Sequence, residues 1–489
     1  MEFICGEDRE QGTFLPARIE DYVSIDNPVR VIDAYVESLD MKNLGFKQCE
    51  PNETGRPMYA PKDLLKLYLY GYMNRVRSSR SLEIETKRNL EVIWLLKKLT
   101  PDHKTIARFR QHNAGALKNV FCSFVKTCMG FGLYGQELIA VDGSKFKAWN
   151  SKDRNFSSGK LSDRITRINE RIEAYLAELN ETDKLEQGTA DSINIEELVR
   201  KLNDRKERYQ QLKEQLVQSD DLQISLTDPD SRLMKTKNGM DVCLNVQTVV
   251  DAQNKMIVTF SVGSEVQDKN MLAPTVELTE QMLEKKELTV LADRGYDSVS
   301  DVAQVVKNGH IPLVAHSEYE FCLPTDDEHA ETITSYDAKI GKSIYWPERN
   351  VFICPMGKML HPIGYSKTKR TATYSNATAC GKCPQKCTKS KYYHAERLMP
   401  PSAYSKQYDD SPLPLRKVHV AENKQLMRQR KCIVEHPFGT VKRSLGVSYL
   451  LLKGKQKAEG EISLAFLAYN MKRAIKILGF QKLLYAFQR

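Results

Sequence analysis

The chain has 489 residues, with 73 Lys plus Arg against 63 Asp plus Glu, a formal charge of +10 and a sequence pI of 8.9. That length exceeds one compact core and suggests two to four parts at ~100–200 residues each. Hydrophobic residues make up 41% and the mean hydropathy is −0.49. No apolar run approaches the ~18–20 residues that span a bilayer, which excludes a polytopic membrane protein. The start, Met1 to Asp8, lacks a basic segment followed by an apolar one, so a soluble intracellular protein is expected.

Residues 1–135 read as helical. Leu64 to Tyr72 is an apolar stretch, and Pro61 suits the first turn of its helix. Arg75, Arg77, Arg80, Lys87 and Arg88 follow, then Leu90 to Leu99, then Thr100 to Arg110. In that last segment Thr100 or Asp102 could cap a short helix presenting Lys104, Arg108 and Arg110. Short helices with arginines at the turns fit a helix-turn-helix DNA reader, and a helical bundle with a solvated basic face fits them equally.

The character changes at Leu138-Ile-Ala-Val141, a short apolar run that reads as a buried strand ending at Asp142-Gly143. Leu161, Ile165, Ile168, Ile172, Tyr175 and Leu179 then recur at helical spacing, and Ile195, Leu198, Leu202, Tyr209, Leu212 and Leu216 repeat the pattern after a polar break. An inserted antiparallel helical hairpin, 151–221, is expected. Residues 242–250 and 256–262 flank the polar turn Asp251 to Lys255 and predict a β-hairpin. Residues 270–285 predict an amphipathic helix. Leu288 to Ala292 predicts a second apolar strand ending at Asp293-Arg-Gly-Tyr-Asp297, followed by a helix and the strand Ile311 to Ala315. This order indicates an α/β mixed sheet with helices on its faces, with parts at 136–150 and 222–319. Residues 320–415 interrupt it with short, Pro- and Thr-rich, cysteine-bearing sequence. Two helices, Glu422 to Leu445 and Ala458 to Leu484, close the chain within 416–489.

Asp142 and Asp293 each end an apolar strand with a glycine closely following, and Glu435 lies in a basic helical segment where nine basic residues face two acids between Arg416 and Lys453. Three carboxylates that converge repel one another unless divalent cations neutralise them. Two Mg²⁺ ions ~3.5–4 Å apart can activate the attacking oxygen and stabilise the leaving one in phosphodiester chemistry. A single Asp before Gly is more simply a turn residue. Asp251 and Asp297 are rival acids, better explained as a hairpin turn and a helix cap. His436 reads as a structural or capping histidine.

The eleven cysteines are an odd count in a chain with no export signal, which argues against a disulfide framework. Cys354, Cys380, Cys383 and Cys387 are set apart by the spacing C-x25-C-x2-C-x3-C. Four soft thiolates on two knuckles suit a tetrahedral, structural Zn²⁺, with His361 as a substitute ligand; a metal-free loop stays open as the alternative.

Val141-Asp-Gly-Ser-Lys-Phe-Lys-Ala148, Leu291-Ala-Asp-Arg-Gly-Tyr-Asp-Ser298 and Val434-Glu-His-Pro-Phe-Gly-Thr-Val-Lys-Arg443 together resemble the bacterial insertion-sequence transposases of the DDE type, in the IS4/IS5-like superfamily and its IS1182 branch. Gly55-Arg-Pro-Met-Tyr-Ala-Pro-Lys-Asp-Leu-Leu65 resembles that branch's helical DNA-binding domain, and the cysteine insert is similar to its counterpart there. The resemblance implies an RNase H-like core in which Asp142, Asp293 and Glu435 bind Mg²⁺ or Mn²⁺ and are catalytic. It implies that Lys442 contacts DNA and that Arg430 fills the family's Arg position, although Met427 stands where the family often has Tyr. Arg443, Arg75 and Arg108 are further DNA-binding candidates. The implied activity is cleavage at element ends and strand transfer into target DNA. The implied partners are double-stranded DNA (terminal inverted repeats and target) and a second copy of the chain on paired ends, with no membrane, in the cytoplasm and nucleoid. A catalytically inactive, transposase-derived DNA-binding protein is the alternative.

Overall fold

The computed structural model describes residues 18–50, 57–184, 190–218, 223–237, 239–315, 343–346, 349, 351–354, 356–366, 371–384, 395–398 and 423–488. These fall into two compact units, one of 1–268, 277–285 and 433–489, the other of 269–276 and 286–432. No helix among the described residues is long and apolar enough to cross a membrane.

The first unit begins with six helices: α1 Val29–Glu37, α2 Pro61–Met73, α3 Ser79–Arg88, α4 Leu90–Leu95, α5 His103–His112 and α6 Ala114–Gly130. Pro61 takes the first helical position of α2, where its missing N–H costs nothing. Asp102 is the cap of α5, accepting the amides of Lys104 and Thr105 at 2.8 and 2.9 Å. Helix α2 is buried from Leu64 to Met73, so its one charged residue there, Lys66, must be paired. Its ammonium meets Asp33 and Glu37 of α1, each at 2.6 Å.

Strand β1 spans Leu138–Lys147 and is followed by the short pair β2 Asn155–Ser157 and β3 Gln223–Ser225. Between these two lie α7 Ser158–Lys184 and α8 Ala190–Gln218, which pack on each other as the heptads predict. Leu161, Leu212 and Leu216 bury against Phe156 at the hairpin's base. Then come β4 Arg232–Thr236, β5 Gly239–Asp251 and β6 Ile257–Gly263. β5 pairs antiparallel with β1, β4 and β6.

In the second unit, β7 Thr289–Ala292 runs parallel to β8 Ile311–Val314, and α10 Val299–Lys307 joins them; α9 Leu272–Leu283, of which only the first turn belongs to this unit, precedes β7 in the chain. Asp301 of α10 accepts the amides of Leu272 and Ala273 at the start of α9. The cysteine-bearing region holds more order than its composition suggests. β9 Ile344–Trp346, β10 Val351–Ile353, β11 Met359–Ser366, β12 Thr371–Ser375 and β13 Ala395–Leu398 form a five-stranded sheet, each paired with the next, with α11 Ala377–Gly381 between the last two. Phe352, Cys354, Leu360 and Tyr374 make a small core for it.

The chain closes with α12 Lys424–Gly439, α13 Lys455–Leu478 and α14 Phe480–Phe487. The single terminal helix expected to reach Leu484 breaks at Gly479, which takes φ +79°. That left-handed conformation suits glycine and ends α13. Helix α13 is buried from Ile462 to Met471 and packs on α6, α2 and β6, so the first unit's helices and strands share one core.

Candidate active site

Asp142 does not end its strand. β1 continues to Lys147, and Asp142 stands opposite Thr248 in the β5 ladder, with Gly143 opposite Gln247. The expected strand end at Asp142-Gly143 fails because residues 144–147 still alternate: Phe146 is buried and Lys147 exposed. What the glycine provides is room. A Cβ on Gly143 would lie 2.3 Å from Asp268 Oδ1, 2.8 Å from its Cγ and 2.9 Å from Gln247 Nε2. The Asp268 carboxylate occupies that space, held by the side-chain amides of Asn245 at 2.8 Å and Gln247 at 2.7 Å. Glycine inside a strand here marks close approach rather than a bend.

Side chains alternate along a strand, so Asp142, Ser144 and Phe146 share one face of β1 and Gly143 looks to the other. Asp142 Oδ1 accepts the amide of Gly143 at 3.0 Å, and the carboxylate is half-buried. Across the ladder, Thr248 carries a buried hydroxyl with no hydrogen-bond partner among the described residues.

Glu435 is exposed on α12. The helix is fixed next to it by His436, whose Nδ1 lies 2.8 Å from the Tyr469 hydroxyl of α13; that hydroxyl donates to Lys255 O at 2.6 Å. Burial, with Arg473, Lys255 and Lys476 nearby, lowers the His436 pKa, in keeping with a structural histidine. Pro437 sits within α12, and after Gly439 the chain passes into a π-helical turn, Thr440–Ser444. Its Leu445 amide reaches back to Thr440 O at 2.8 Å. Lys442 therefore does not lie two regular turns beyond Glu435. Its ammonium donates to Ser144 Oγ at 2.6 Å and Lys145 O at 2.7 Å, and rests 4.4 Å from the Phe146 ring centre. Burial pulls its pKa from 10.5 to about 8, and the Asp142 charge works in the opposite direction. Arg443 on the same turn is exposed.

In the second unit Asp293 follows β7 directly, at the strand's C-terminal end as expected, and is half-buried. Its Oδ1 accepts the Gly295 amide at 2.8 Å and caps the short turn Arg294–Tyr296. Asp297 ends that turn, and Ser298 rather than Asp297 stands at the N-terminal boundary of α10. Asp251 is buried at the β5–β6 turn, where it accepts the amides of Gln136 and Gln253, each at 2.9 Å, which fits the hairpin reading. Arg430 of α12 is half-buried, and one of its terminal nitrogens is buried without a partner among the described residues.

Among the described residues, no group of three or more His, Cys, Asp or Glu side chains is gathered to hold one metal ion. Asp142, Asp293 and Glu435 each carry a carboxylate at a half-buried or exposed position, and carboxylate oxygen is the hard kind of donor that Mg²⁺ takes. Cys354 is buried after β10, and its sulfur accepts the Lys358 amide at 3.3 Å. Cys380 and Cys383 lie at the end of α11 and just beyond, joined by a Cys383 amide to Cys380 carbonyl bond. Cys387 lies outside the described residues. His361 is exposed on β11. Soft thiols on two short turns suit zinc.

The basic N-terminal residues divide. Arg108 is exposed on α5. Arg75 is exposed and donates to Arg443 O at 2.6 Å. Arg110, expected on the presented face, is instead buried; its guanidinium lies over the Tyr68 ring and bonds the Tyr72 hydroxyl and Arg77 O. Arg77 is buried too, paired with Glu461 of α13 at 2.8 Å and bonded to Gly446 O at 2.7 Å. Both arginines serve the core because α13 covers them, a packing that local patterning does not reveal. Asp268 and Thr248 escape sequence reasoning as well; neither sits in a motif that singles it out.

Residues 17–112 match the family described as a transposase domain (DUF772), and residues 225–471, just over half the chain, match the transposase DDE domain. The second match contains Asp293 and Glu435; Asp142 precedes it, on the other side of the α7–α8 hairpin. A cryo-EM structure of the piggyBac transposase synaptic complex with hairpin DNA aligns over 95% of this chain and 80% of that one, at 8% identity and a TM-score of 0.31, a likeness too slight to carry an argument. No curated protein matches the chain.

Proposed function

The chain belongs to the transposases that carry a DDE domain, and on that premise we propose that it cuts DNA at the ends of an insertion sequence and joins them to target DNA. The observation that carries this is the DDE-domain match over residues 225–471, which includes two of the three acids proposed as catalytic. The proposed core is RNase H-like. Antiparallel β6, β5 and β1, followed by the parallel pair β7 and β8 with helices between, support that reading. The IS1182 branch of the IS4/IS5-like superfamily is the proposed subgroup, on the likeness of Gly55–Leu65 and of the cysteine insert to that branch.

Asp142, Asp293 and Glu435 would hold Mg²⁺ or Mn²⁺. When bound, the metal supplies nucleophile activation and charge stabilisation for phosphodiester chemistry. The Thr248 hydroxyl, buried across from Asp142, is an available partner for a water at that carboxylate. Arg430, Lys442, Arg443, Arg75 and Arg108 are the proposed DNA contacts, which would orient the DNA without reading its sequence. Water first hydrolyses a phosphodiester at the element end and frees a 3′-hydroxyl; that hydroxyl then displaces a target phosphodiester. Two ends must be handled together, so a homodimer on paired ends is the proposed assembly. Cys354, Cys380 and Cys383, with Cys387, would hold a structural Zn²⁺.

The test is end cleavage. Duplexes spanning the DNA that flanks the coding sequence are incubated with purified protein in Mg²⁺ or in EDTA. Nicks at the element ends in Mg²⁺ alone support the reading. Retarded but uncut duplex under both conditions would instead identify a catalytically inactive, DNA-binding descendant.

A further inference from the structure

The α7–α8 hairpin is inserted between β2 and β3, in the unit that carries Asp142, and lies outside both stretches that match transposase families. Its root is fixed by Leu161, Leu212 and Leu216 against Phe156. The heptads also decide which charges share an edge. Ser162 and Lys213 each follow a core residue, and the Lys213 ammonium donates to Ser162 Oγ at 3.0 Å, so these two mark one edge of the seam. Arg164, Arg171, Lys201 and Arg208 each precede a core residue (Ile165, Ile172, Leu202 and Tyr209) and line the opposite edge. Arg167 joins their stripe at helical spacing. Antiparallel pairing of these heptads sets Arg171 and Arg208 at facing positions. Charges that face each other beside such a seam are ordinarily opposite in sign, and two arginines there repel.

Two of these five cations are engaged within the hairpin. Arg164 bonds the Tyr209 hydroxyl at 3.0 Å and lies over the Phe156 and Tyr209 rings, and Lys201 pairs with Glu197 at 2.8 Å. Arg167, Arg171 and Arg208 are exposed and form no ion pair among the described residues. Asp163 and Asp204 stand one turn before Arg167 and Arg208, at the spacing of a helical ion pair, and neither pair is joined among the described residues. We propose that this edge of the hairpin binds the phosphate backbone of duplex DNA, with Arg167, Arg171 and Arg208 as the contacts. The proposal rests on the transposase reading, which makes DNA the polyanion at hand. Guanidinium forks match phosphate oxygens, and a polyanion between Arg171 and Arg208 replaces their repulsion with an attraction shared by both. From Arg164 to Arg171 the edge runs about 10 Å at ~1.5 Å per residue. That covers about three phosphates of one strand at ~3.4 Å of helix axis each.

The experiment measures binding of the full chain to an element-end duplex and to an unrelated duplex of equal length, each across a range of salt. The unmodified protein is compared with a triple variant, Arg167→Gln with Arg171→Gln and Arg208→Gln. A control, Lys206→Gln with Lys213→Gln, strips the Ser162 edge instead. Each phosphate-binding cation removed lowers the slope of log K against log salt by about 0.9, so the triple variant is expected to lower it by about 2.7. The fall is expected on both duplexes, because phosphate contacts carry no sequence information. The control is expected to lower the slope by less than about 0.9 in all. In DNA-free protein, amide exchange along α7 and α8 is expected to be no faster in the triple variant, which relieves the repulsion between Arg171 and Arg208. Faster exchange there would mean that the arginines hold the hairpin together, and would overturn the proposal. So would an unchanged slope in the triple variant. A fall of about 0.9 per lysine in the control would overturn it too, because the attraction would then belong to the net charge rather than to this edge. If the unmodified protein binds neither duplex, the transposase reading falls and takes the surface with it; binding that the triple variant keeps, salt slope included, removes the surface alone.

Discussion

Replacing Gly143 with Ala puts the space beside the strand that carries Asp142 to a direct test. The added Cβ would stand 2.3 Å from Asp268 Oδ1 and 2.9 Å from Gln247 Nε2, so the carboxylate must move. Moving it breaks or stretches its bonds from Asn245 and Gln247, 2.8 and 2.7 Å long. Hydrogen bonds to a charged group contribute about 1.5–3 kcal/mol each, which gives roughly 3–6 kcal/mol at full loss. Asp268 is only half-buried and can swing toward water, recovering part of that. Removing glycine from a strand returns about 0.5–1 kcal/mol. The net expectation is a cost of about 2–4 kcal/mol. In an Asp268→Ala background the obstruction is gone, and the same Gly143→Ala change is expected to cost less than about 1 kcal/mol, a coupling of roughly 2 kcal/mol. Native-state amide exchange across the β1–β5 ladder measures all four proteins locally, which avoids assigning one unfolding free energy to a chain of two units. Equal costs in the two backgrounds, within about 0.5 kcal/mol, would refute the claim that Asp268 is what requires a glycine there.

Arg77→Met leaves Glu461 fully buried without its cation, although the Leu451 and Leu452 amides still reach it, and is expected to destabilise α13 in the DNA-free protein by about 3–5 kcal/mol, read by native-state amide exchange along that helix. A loss below about 1 kcal/mol would contradict the reading of Arg77 as a core cation. For Glu37, burial alone would raise the carboxyl, but Lys66 and Lys62 together bring it down to about 2. Its folded pKa lies below the unfolded one, so its contribution is complete above pH 4.5 and disappears as the pH falls toward 2. Glu37→Gln should therefore flatten the acid limb of a stability–pH curve over that window, and an unchanged limb would count against the pairing. Metal analysis of protein purified without chelator is expected to find about one zinc per chain, lost in Cys354→Ser; zinc-free protein with normal stability would dismiss the cysteine site.

Much of this architecture is legible in the sequence where periodicity is long or a single residue has one physical use. The heptads from Leu161 to Leu216 give the α7–α8 hairpin, the alternating apolar runs either side of Asp251 give β5 and β6, and Pro61 and Asp102 mark their helix starts. Asp293 is found at its strand end because the glycine that follows accompanies a real turn. A glycine close behind the acid misleads at Asp142, where it makes room for a carboxylate 125 residues further along the chain, which no local pattern carries. Arg110 and Arg77 fail for the same reason: their counter-groups lie on distant elements, and a charged residue in a short helix looks solvated until its cover is known. The π turn after Pro437 alters the direction of Lys442 by a register change too small to leave a hydrophobic signature. In the cysteine region, strands of three to eight residues are too short to show alternation, so the sheet there reads as irregular chain.

The central claim, that this chain joins DNA ends through Asp142, Asp293 and Glu435, is tested most directly by strand transfer. Pre-cleaved end duplexes bearing free 3′-hydroxyls would be offered with a supercoiled target plasmid, Mg²⁺, and either the unmodified protein or Asp142→Asn, Asp293→Asn or Glu435→Gln. The account predicts joined products with the unmodified protein and a loss of at least about 10³-fold with each variant, while all four bind the ends alike. Strand transfer that survives any one of the three substitutions would remove that acid from the catalytic set, and its absence from the unmodified protein under conditions where the ends are bound would contradict the account as a whole.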